Sequence, residues 1–118
     1  MIVLSSVTKA KSAVIEGRVI RLQVSDAYYY LYIFLGKNRD YILNERMCSC
    51  KDFLYNVMFR GKKNKCYHQL ALEYALEKDM LITIEINKET LIDIIMEIYT
   101  MDKSFILRKI LFSRGQKR

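Results

Sequence analysis

All the cysteine and histidine of this chain, three Cys and one His, lies between residues 48 and 68. The four residues form two pairs with one-residue spacers, Cys48-x-Cys50 and Cys66-x-His68, separated by residues 51–65. A structural zinc site takes four such ligands in a tetrahedron, and three thiolates with one imidazole are a standard set. The pattern therefore predicts one structural Zn²⁺ per chain, bound by Cys48, Cys50, Cys66 and His68.

Two other interpretations of these four residues compete with a metal site. Free cysteine is among the most buried residue types, so the thiols could simply fill the core. A disulfide framework is the second alternative, but three cysteines cannot all pair, and no signal-peptide pattern precedes them. Two ligand pairs, each with a one-residue spacer, account for every Cys and His of the chain. This arrangement favours reduced thiols that bind a metal. We therefore expect an intracellular protein, cytoplasmic in a prokaryote and nuclear in a eukaryote.

The spacing of the ligand pairs resembles that of the SWIM-type zinc finger, which is C-x-C, a variable gap, and C-x-H at the start of a helix. Here the match is CSCKDFLYNVMFRGKKNKCYHQLALEYAL, residues 48–76, with an aromatic residue after Asp52 and an apolar helix after His68. The strand-rich lead-in YLYIFLGKNRDYILNERM and a helical tail extend the likeness to about residues 28–100. Over that length the chain resembles the small stand-alone SWIM proteins of archaea and eukaryotes, including the SWIM subunit of the Shu recombination complex.

The resemblance implies a function as well as a fold. Proteins of this kind act in homologous recombination and DNA repair beside paralogues of the RecA-family recombinase. The resemblance thus implies a non-enzymatic, zinc-binding accessory factor with a RecA-family paralogue as its protein partner and DNA as a further candidate partner. The alternative is a small zinc-finger protein that binds nucleic acid or regulates transcription.

The positive charge of the chain is concentrated in two places. A net charge of +7 attracts polyanions, and nucleic acid is the usual one inside cells. One basic segment ends the chain, and the other is the loop between the ligand pairs, where four residues are candidate phosphate contacts: Arg60, Lys62, Lys63 and Lys65. A second candidate for nucleic-acid contact is the run Tyr28, Tyr29, Tyr30 and Tyr32, which could stack on single-stranded bases or could alternate between core and surface.

The pattern of the chain predicts an α+β fold: a small antiparallel β-meander that leads into a zinc-bound ββα-like finger, followed by a C-terminal helical segment. Strands are predicted at residues 13–24, 28–35 and 41–47, separated by turn residues. The third strand would deliver Cys48 and Cys50 at its end. Because residues two apart on a strand point to the same side, both thiolates could then face one ion.

Within the finger, residues 48–78, two helices are predicted. The first is capped by Asp52, carries Phe53, Leu54, Val57 and Met58 at helical spacing, and ends at Gly61. The second runs from Tyr67 to Lys78 and places His68 in its first turn. Residues 81–86, LITIEI, favour a strand by β-branching, although a helix or a linker is also compatible with them.

The C-terminal tail, residues 88–113, has apolar residues three and four apart and a break near residues 100–104. Its large aliphatic residues lie on more than one side of a helix, which exceeds the need of one packing face. We expect part of it to contact a second copy or a RecA-family paralogue, unless it only closes the core. The residues predicted for this interface are Ile98, Tyr99, Phe105 and Ile106.

The sequence argues against catalysis and against a membrane protein. Four protein ligands would close the zinc site, whereas a catalytic zinc keeps one position open. With His68 bound to metal, no second histidine remains for proton transfer, and the four glycines are too scattered for a phosphate-binding loop. Charges interrupt each apolar run before the roughly 18 residues that a membrane span requires. We expect one domain, residues 1–118.

Overall fold

The computed structural model describes residues 2–61 and 65–113, with backbone only for residues 2–6. The described residues form a mixed α/β structure with C-terminal helices, which confirms the predicted fold class. Its elements, in chain order, are α1 (Ile2–Ile15), β1 (Val19–Val24), β2 (Tyr29–Leu35), β3 (Asp40–Leu43), a π-helix (Phe53–Phe59), α2 (Tyr67–Lys78), β4 (Ile82–Ile86), α3 (Lys88–Met101) and α4 (Phe105–Ser113).

The sheet extends the predicted meander by one strand. Among the described residues its order is β3-β2-β1-β4, in which β1, β2 and β3 form the expected antiparallel meander. The fourth strand confirms the strand interpretation of residues 81–86. It pairs parallel to β1, from Ile20 opposite Ile82 to Val24 opposite Ile86. The sheet is therefore mixed, because β1 has an antiparallel neighbour, β2, and a parallel neighbour, β4. A parallel pair needs a long connection, and here residues 25–81 supply it.

The predicted first strand, residues 13–24, is wrong at its beginning. Residues Ala13 and Val14 belong to α1, and both are buried. The sequence suggested a strand here because β-branched residues occur on both sides of Gly17. That glycine has φ +77°, a left-handed conformation that glycine adopts without steric cost, so the chain leaves the helix there and begins β1 at Val19.

Two helix-strand units lie side by side in the same direction. In one, α1 leads through Gly17 into β1, and in the other α2 leads through Asp79, also left-handed at φ +56°, into β4. The ammonium of Lys9 lies over the ring of Tyr67 on α2, 5.7 Å from its centroid. Further along both helices, Lys11 lies in the same way over Tyr74, so the helices, like their strands, are parallel. This pairing fixes α2, and with it half of the predicted metal site, on the sheet.

The two faces of the sheet support two separate cores, because neighbouring residues of a strand point to opposite faces. On one face, Tyr32 and Phe34 pack with buried residues of α1 and α2 and with the three cysteines. On the other face, the aliphatic residues of β1, β2 and β4 pack against α3 and α4. The members of this second core with the least exposure are Ile20, Leu22, Ile33, Ile94 and Leu107. The predicted metal site and the C-terminal helices thus lie on opposite sides of the sheet.

The C-terminal helices follow the prediction for residues 88–113, including the break. Asn87 begins α3, where its side chain accepts a hydrogen bond from the Thr90 N–H, and Asp102 ends it in a left-handed conformation at φ +69°. The interface prediction needs a correction at Ile98, which is 7% exposed and belongs to the second core. Among the described helices, none has the length and apolar content that crossing a membrane requires.

A buried ion pair attaches α4 to the edge of the sheet. Asp40, on β3, is 1% exposed, and its carboxylate accepts two hydrogen bonds from the guanidinium of Arg108, one of them at 2.8 Å. The same carboxylate accepts from the backbone N–H of Ser104 at 2.9 Å, and Glu97 accepts from the hydroxyl of Ser104 at 2.8 Å. A buried charge is tolerated when it is paired and hydrogen-bonded in this way. The pair therefore joins the first residue of β3 to α4.

We predict that Asp40→Ala lowers the free energy of unfolding by about 2 kcal/mol, because it leaves the buried Ser104 N–H without its acceptor and the Arg108 guanidinium, whose side chain is 31% exposed, without its partner. Denaturant unfolding followed by circular dichroism measures the change. The matched control is Arg39→Ala, which removes an exposed ion pair with Asp102 and should cost less than about 1 kcal/mol. Equal effects of the two substitutions would contradict the role given to the buried pair.

Candidate metal centre

The first ligand pair lies on a tight turn and not at the end of a long strand. The predicted third strand, residues 41–47, is wrong at its end, because β3 stops at Leu43. The side-chain oxygen of Asn44 accepts hydrogen bonds from the backbone N–H groups of Arg46 and Met47. The backbone N–H of Asn44 donates to the carbonyl of Met47 at 2.9 Å. Asparagine favours such turns because its side chain can bond to its own backbone. The chain thus doubles back, and Cys48 pairs with Leu43 across an isolated antiparallel bridge.

The second ligand pair begins α2, whose bounds are those predicted. Cys66 is the N-cap, and it forms a reciprocal capping box with Gln69, in which the Gln69 side chain accepts from the Cys66 N–H at 3.1 Å. The same buried Gln69 side chain donates to the carbonyl of Glu45 at 3.4 Å. The carbonyl belongs to the turn that carries Cys48. One buried amide therefore connects the backbone segments of the two ligand pairs.

The helix between the ligand pairs departs from the prediction in its type and its cap. Residues 53–59 form a π-helix, and the backbone N–H of Arg60 donates to the carbonyl of Tyr55 at 2.9 Å, five residues back. The predicted N-cap, Asp52, makes no side-chain cap and instead accepts from the amide of Asn56 at 2.7 Å. The prediction that Gly61 ends the helix is confirmed, since that residue is left-handed at φ +61° directly after the helix.

The core covers only part of the helical face that was predicted to be buried. Phe53 is 5% exposed and Val57, four residues later, packs against the same core. Leu54 and Met58, which were predicted to share that face, are 41% and 57% exposed. These two side chains lie beyond the edge of the core.

The four predicted ligands come together in space. One ligand atom from each of Cys48, Cys50, Cys66 and His68 lies within 4.8 Å of the others. The Cys48 Sγ is 3.7 Å from the His68 Nδ1, and a tetrahedron with Zn–S and Zn–N bonds of ordinary length has edges of about 3.5 to 3.8 Å. The three cysteines are buried. The donor set and its dimensions fit one zinc ion, with the Nδ1 of His68 as the fourth ligand atom.

The electrostatics of the thiols also favour a cation. A hydrogen bond from the Cys48 thiol holds the pKa of Cys50 far below its ordinary value, and the same hydrogen bond raises the pKa of Cys48. At Cys66, a hydrogen bond with Cys48 lowers the pKa, but the hydrogen bond with Cys50 and burial outweigh it and raise the pKa to about 11. Hydrogen bonding and burial thus oppose the ionisation of Cys48 and Cys66. A bound zinc ion would offset this, since zinc binds cysteine as the thiolate.

Groups around the ligands hold them in place. The backbone N–H of Phe53, the first residue of the π-helix, donates to the Cys50 Sγ at 3.3 Å. The ring of His68 lies among three aromatic rings, with centroid separations of 4.2 Å to Tyr41, 4.5 Å to Phe34 and 4.9 Å to Tyr67. Such outer contacts orient the ligands and tune the affinity of a site for its metal.

Sequence reasoning did not identify the residues that support the ligands. Asn44 and Gln69 had usable signals, because asparagine is typical of turns, and a glutamine three residues after an N-cap is typical of a capping box. Tyr41 had no such signal, since its position beside His68 depends on the packing of β3 against α2.

The other predicted site residues fall into separate regions. Arg60 is exposed, and Lys65 forms an ion pair with Glu73 on α2. Lys62 and Lys63 lie outside the described residues. At the C-terminal helices, Tyr99 and Phe105 are 70% and 52% exposed, and Ile106 is half-buried.

The tyrosine run divides between surface and core. Tyr32 is 3% exposed and belongs to the core that contains the cysteines. Tyr28, Tyr29 and Tyr30 are exposed, and the Arg21 guanidinium lies 4.4 Å from the ring centroid of Tyr30. The exposed tyrosines thus lie at the β1–β2 turn and at the start of β2, whereas Tyr32 lies farther along β2, where three consecutive residues are buried.

Comparison with known families agrees with the metal centre. Residues 33–77 match the family model of the SWIM zinc finger, a range that runs from β2 to α2 and contains all four ligands. The predicted SWIM-type finger is confirmed over this range. No curated protein and no solved structure matches the chain. The closer resemblance to the small stand-alone SWIM proteins, including the SWIM subunit of the Shu complex, therefore finds no support.

We predict that the purified protein holds about one equivalent of zinc, and that Cys50→Ala and His68→Ala lower the zinc content and the folding stability together, because the ion joins two distant segments. Elemental analysis and thermal unfolding with and without a chelator measure both quantities. The control is Lys51→Ala, an exposed neighbour of the site. Full stability of the wild-type protein after chelation would contradict a structural role for the metal.

Proposed function

We propose that this protein is a non-enzymatic, intracellular accessory factor of homologous recombination and DNA repair. Its proposed protein partner is a RecA-family recombinase paralogue. The alternative is a nucleic-acid-binding or transcription-regulating zinc-finger protein. The observation that carries the proposal is the buried four-ligand centre, which offers zinc a complete tetrahedron. A saturated zinc stabilises a fold, so the function falls to the surfaces around it.

The first of these surfaces is on the C-terminal helices. Three exposed apolar residues of α3, which are Ile92, Met96 and Tyr99, form what we name the α3 surface. They are spaced along one side of the helix, and the carboxylates of Glu89 and Asp93 are exposed beside them. Exposed apolar residues in a continuous row with a charged border are typical of protein interfaces. We propose that the recombinase paralogue contacts this surface.

At the edge of the sheet formed by β3, one end of the α3 surface approaches the turn that carries the first ligand pair. Tyr99 lines a groove of about 240 Å³ together with Met47 and Ser49 of the ligand turn and Ile42 of β3. A partner on α3 would therefore also contact the segment that carries Cys48. This proximity supports a role for zinc in presenting the partner surface, because the ion fixes the position of that turn.

We predict that Tyr99→Asp and Phe105→Asp leave the protein folded but abolish partner binding, since both side chains are largely exposed. Ile98→Asp should instead unfold the chain, because it places a charge in the core. Pull-down from cells with mass spectrometry identifies the partner, and light scattering reports self-association. Capture of the same proteins by wild type and Tyr99→Asp would contradict the proposed surface, and loss of a dimer would assign it to a second copy.

The second surface is the basic loop of the finger. We propose that Arg60, Lys62, Lys63 and Lys65 contact phosphates and do not read bases, because three of the four are lysines, which act as point charges. The structure refines this proposal at one position. Lys65 already pairs with Glu73, so its charge is partly compensated.

We predict that nucleic-acid binding weakens steeply with salt, and that Arg60→Ala or Lys63→Ala each reduces the slope of log affinity against log salt by about one, whatever the sequence of the oligonucleotide. Lys65→Ala should reduce it less. Fluorescence anisotropy of labelled oligonucleotides at several salt concentrations measures the slope. Absence of binding even at low salt would overturn the nucleic-acid proposal and leave the protein partner alone.

A further inference from the structure

The π-helix exposes a second apolar surface, on the side opposite its buried residues. Phe53 and Val57 face the core, whereas four large apolar residues of the same short helix are exposed. They form what we name the outer face of the π-helix: Leu54 (41% exposed), Tyr55 (50%), Met58 (57%) and Phe59 (70%). A folded monomer gains nothing from exposing so much apolar surface on one turn and a half of helix, so a ligand is expected there.

The geometry of the aromatic pair is suited to flat ligands. The ring centroids of Tyr55 and Phe59 are 6.3 Å apart, and the ring planes are inclined by 62°. The rings meet edge to face, so they cannot cover each other as a parallel stack would. Ring surface at this site therefore stays open to solvent, which agrees with the exposure of both side chains.

The charge around the outer face is positive. Lys51 precedes the π-helix, Arg60 follows it, and both are exposed. The one carboxylate within this stretch, that of Asp52, accepts a hydrogen bond from Asn56. The α3 surface has the opposite character, because its exposed neighbours are Glu89 and Asp93. The outer face is thus complementary to a polyanion, whereas the α3 surface is not.

The tyrosines of the β1–β2 turn fit such a ligand less well. Tyr28 and Tyr29 are exposed, but the exposed charge next to them is the carboxylate of Asp26. The ring of Tyr30 already has the guanidinium of Arg21 4.4 Å from its centroid and the ring of Tyr32 against its edge. Aromatic surface and positive charge come together at the π-helix and not at this turn.

We propose that the outer face of the π-helix binds single-stranded nucleic acid, with Tyr55 and Phe59 stacking on bases and Lys51 and Arg60 contacting the phosphates. Bases in a duplex are stacked on each other, so exposed rings can reach only unpaired bases. Leu54 and Met58 beside the rings would pack against the stacked bases and exclude water. This inference rests on the proposed contact with nucleic acid and adds the strand preference and the residues that produce it.

The test compares single and double strands on the zinc-loaded, full-length protein. The probes are a fluorescein-labelled oligothymidylate of about 15 nucleotides and a duplex of the same length, titrated at one salt concentration. We expect Phe59→Ala and Tyr55→Ala each to weaken binding of the single strand by about tenfold and to leave duplex binding unchanged, because stacking is lost and the phosphate contacts remain. Tyr55→Phe keeps the ring and should restore single-strand affinity.

The matched control is Tyr28→Ala, which removes a fully exposed tyrosine at the β1–β2 turn. It should change neither affinity. Zinc content and circular dichroism of each variant establish that the finger is folded. Lys51→Ala provides a second, charge-based variant that should lower the affinity for both probes by reducing phosphate contact.

Three outcomes would overturn the inference. Unchanged single-strand affinity in both aromatic variants would do so while leaving the salt-dependent binding of the basic loop in place. Equal losses for single strand and duplex would assign the two rings to duplex binding. Binding of neither probe by the wild-type protein would overturn the nucleic-acid proposal as a whole, and a loss of partner capture in Phe59→Ala would then assign the outer face to a protein.

Discussion

The closing of one buried centre by two distant ligand pairs is the constraint on which the rest of this finger depends. Cys48 and Cys50 come from a turn at the edge of the sheet, and Cys66 and His68 come from the start of a helix. Hydrogen bonds among the three thiols, together with burial, raise the pKa of Cys48 and of Cys66. A divalent cation bound by the sulfurs would offset this effect. The segment between the pairs is then held at both ends.

The position of the second pair depends on the parallel arrangement of the two helix-strand units. Because β4 is hydrogen-bonded to β1, α2 must lie beside α1, and its first turn then reaches Phe34 and Tyr41 on the sheet. Gln69 adds a direct bond from α2 to the ligand turn. The metal thus completes a site that the sheet and one buried amide have already brought together, which reduces the ordering that binding must produce.

The parts of this fold that could be predicted are those with a local chemical signal. The ligands were identified because their spacing uses every Cys and His, and α2 because apolar residues recur at helical spacing after His68. The start of β1 was misplaced because Val14 and Ile15 have the same β-branched character as Val19 and Ile20, and only Gly17 separates them. The pairing of Asp40 with Arg108, 68 residues away, has no local signal at all.

The exposed side of the π-helix could not be predicted from the spacing of its apolar residues. An α-helical period groups Leu54 with Phe53 and Met58 with Val57, and so predicts one buried face. In the structure the core covers only Phe53 and Val57, so the same sequence has a buried side and an exposed aromatic side. How far the core extends over this helix has no signal in the local sequence. A short helix held at one end by Cys50 has little choice of orientation, because the Phe53 N–H bonds to the Cys50 sulfur and directs Phe53 inward. The metal ligand thereby determines which side of the π-helix faces solvent, and loss of zinc should alter the outer face as well as the centre.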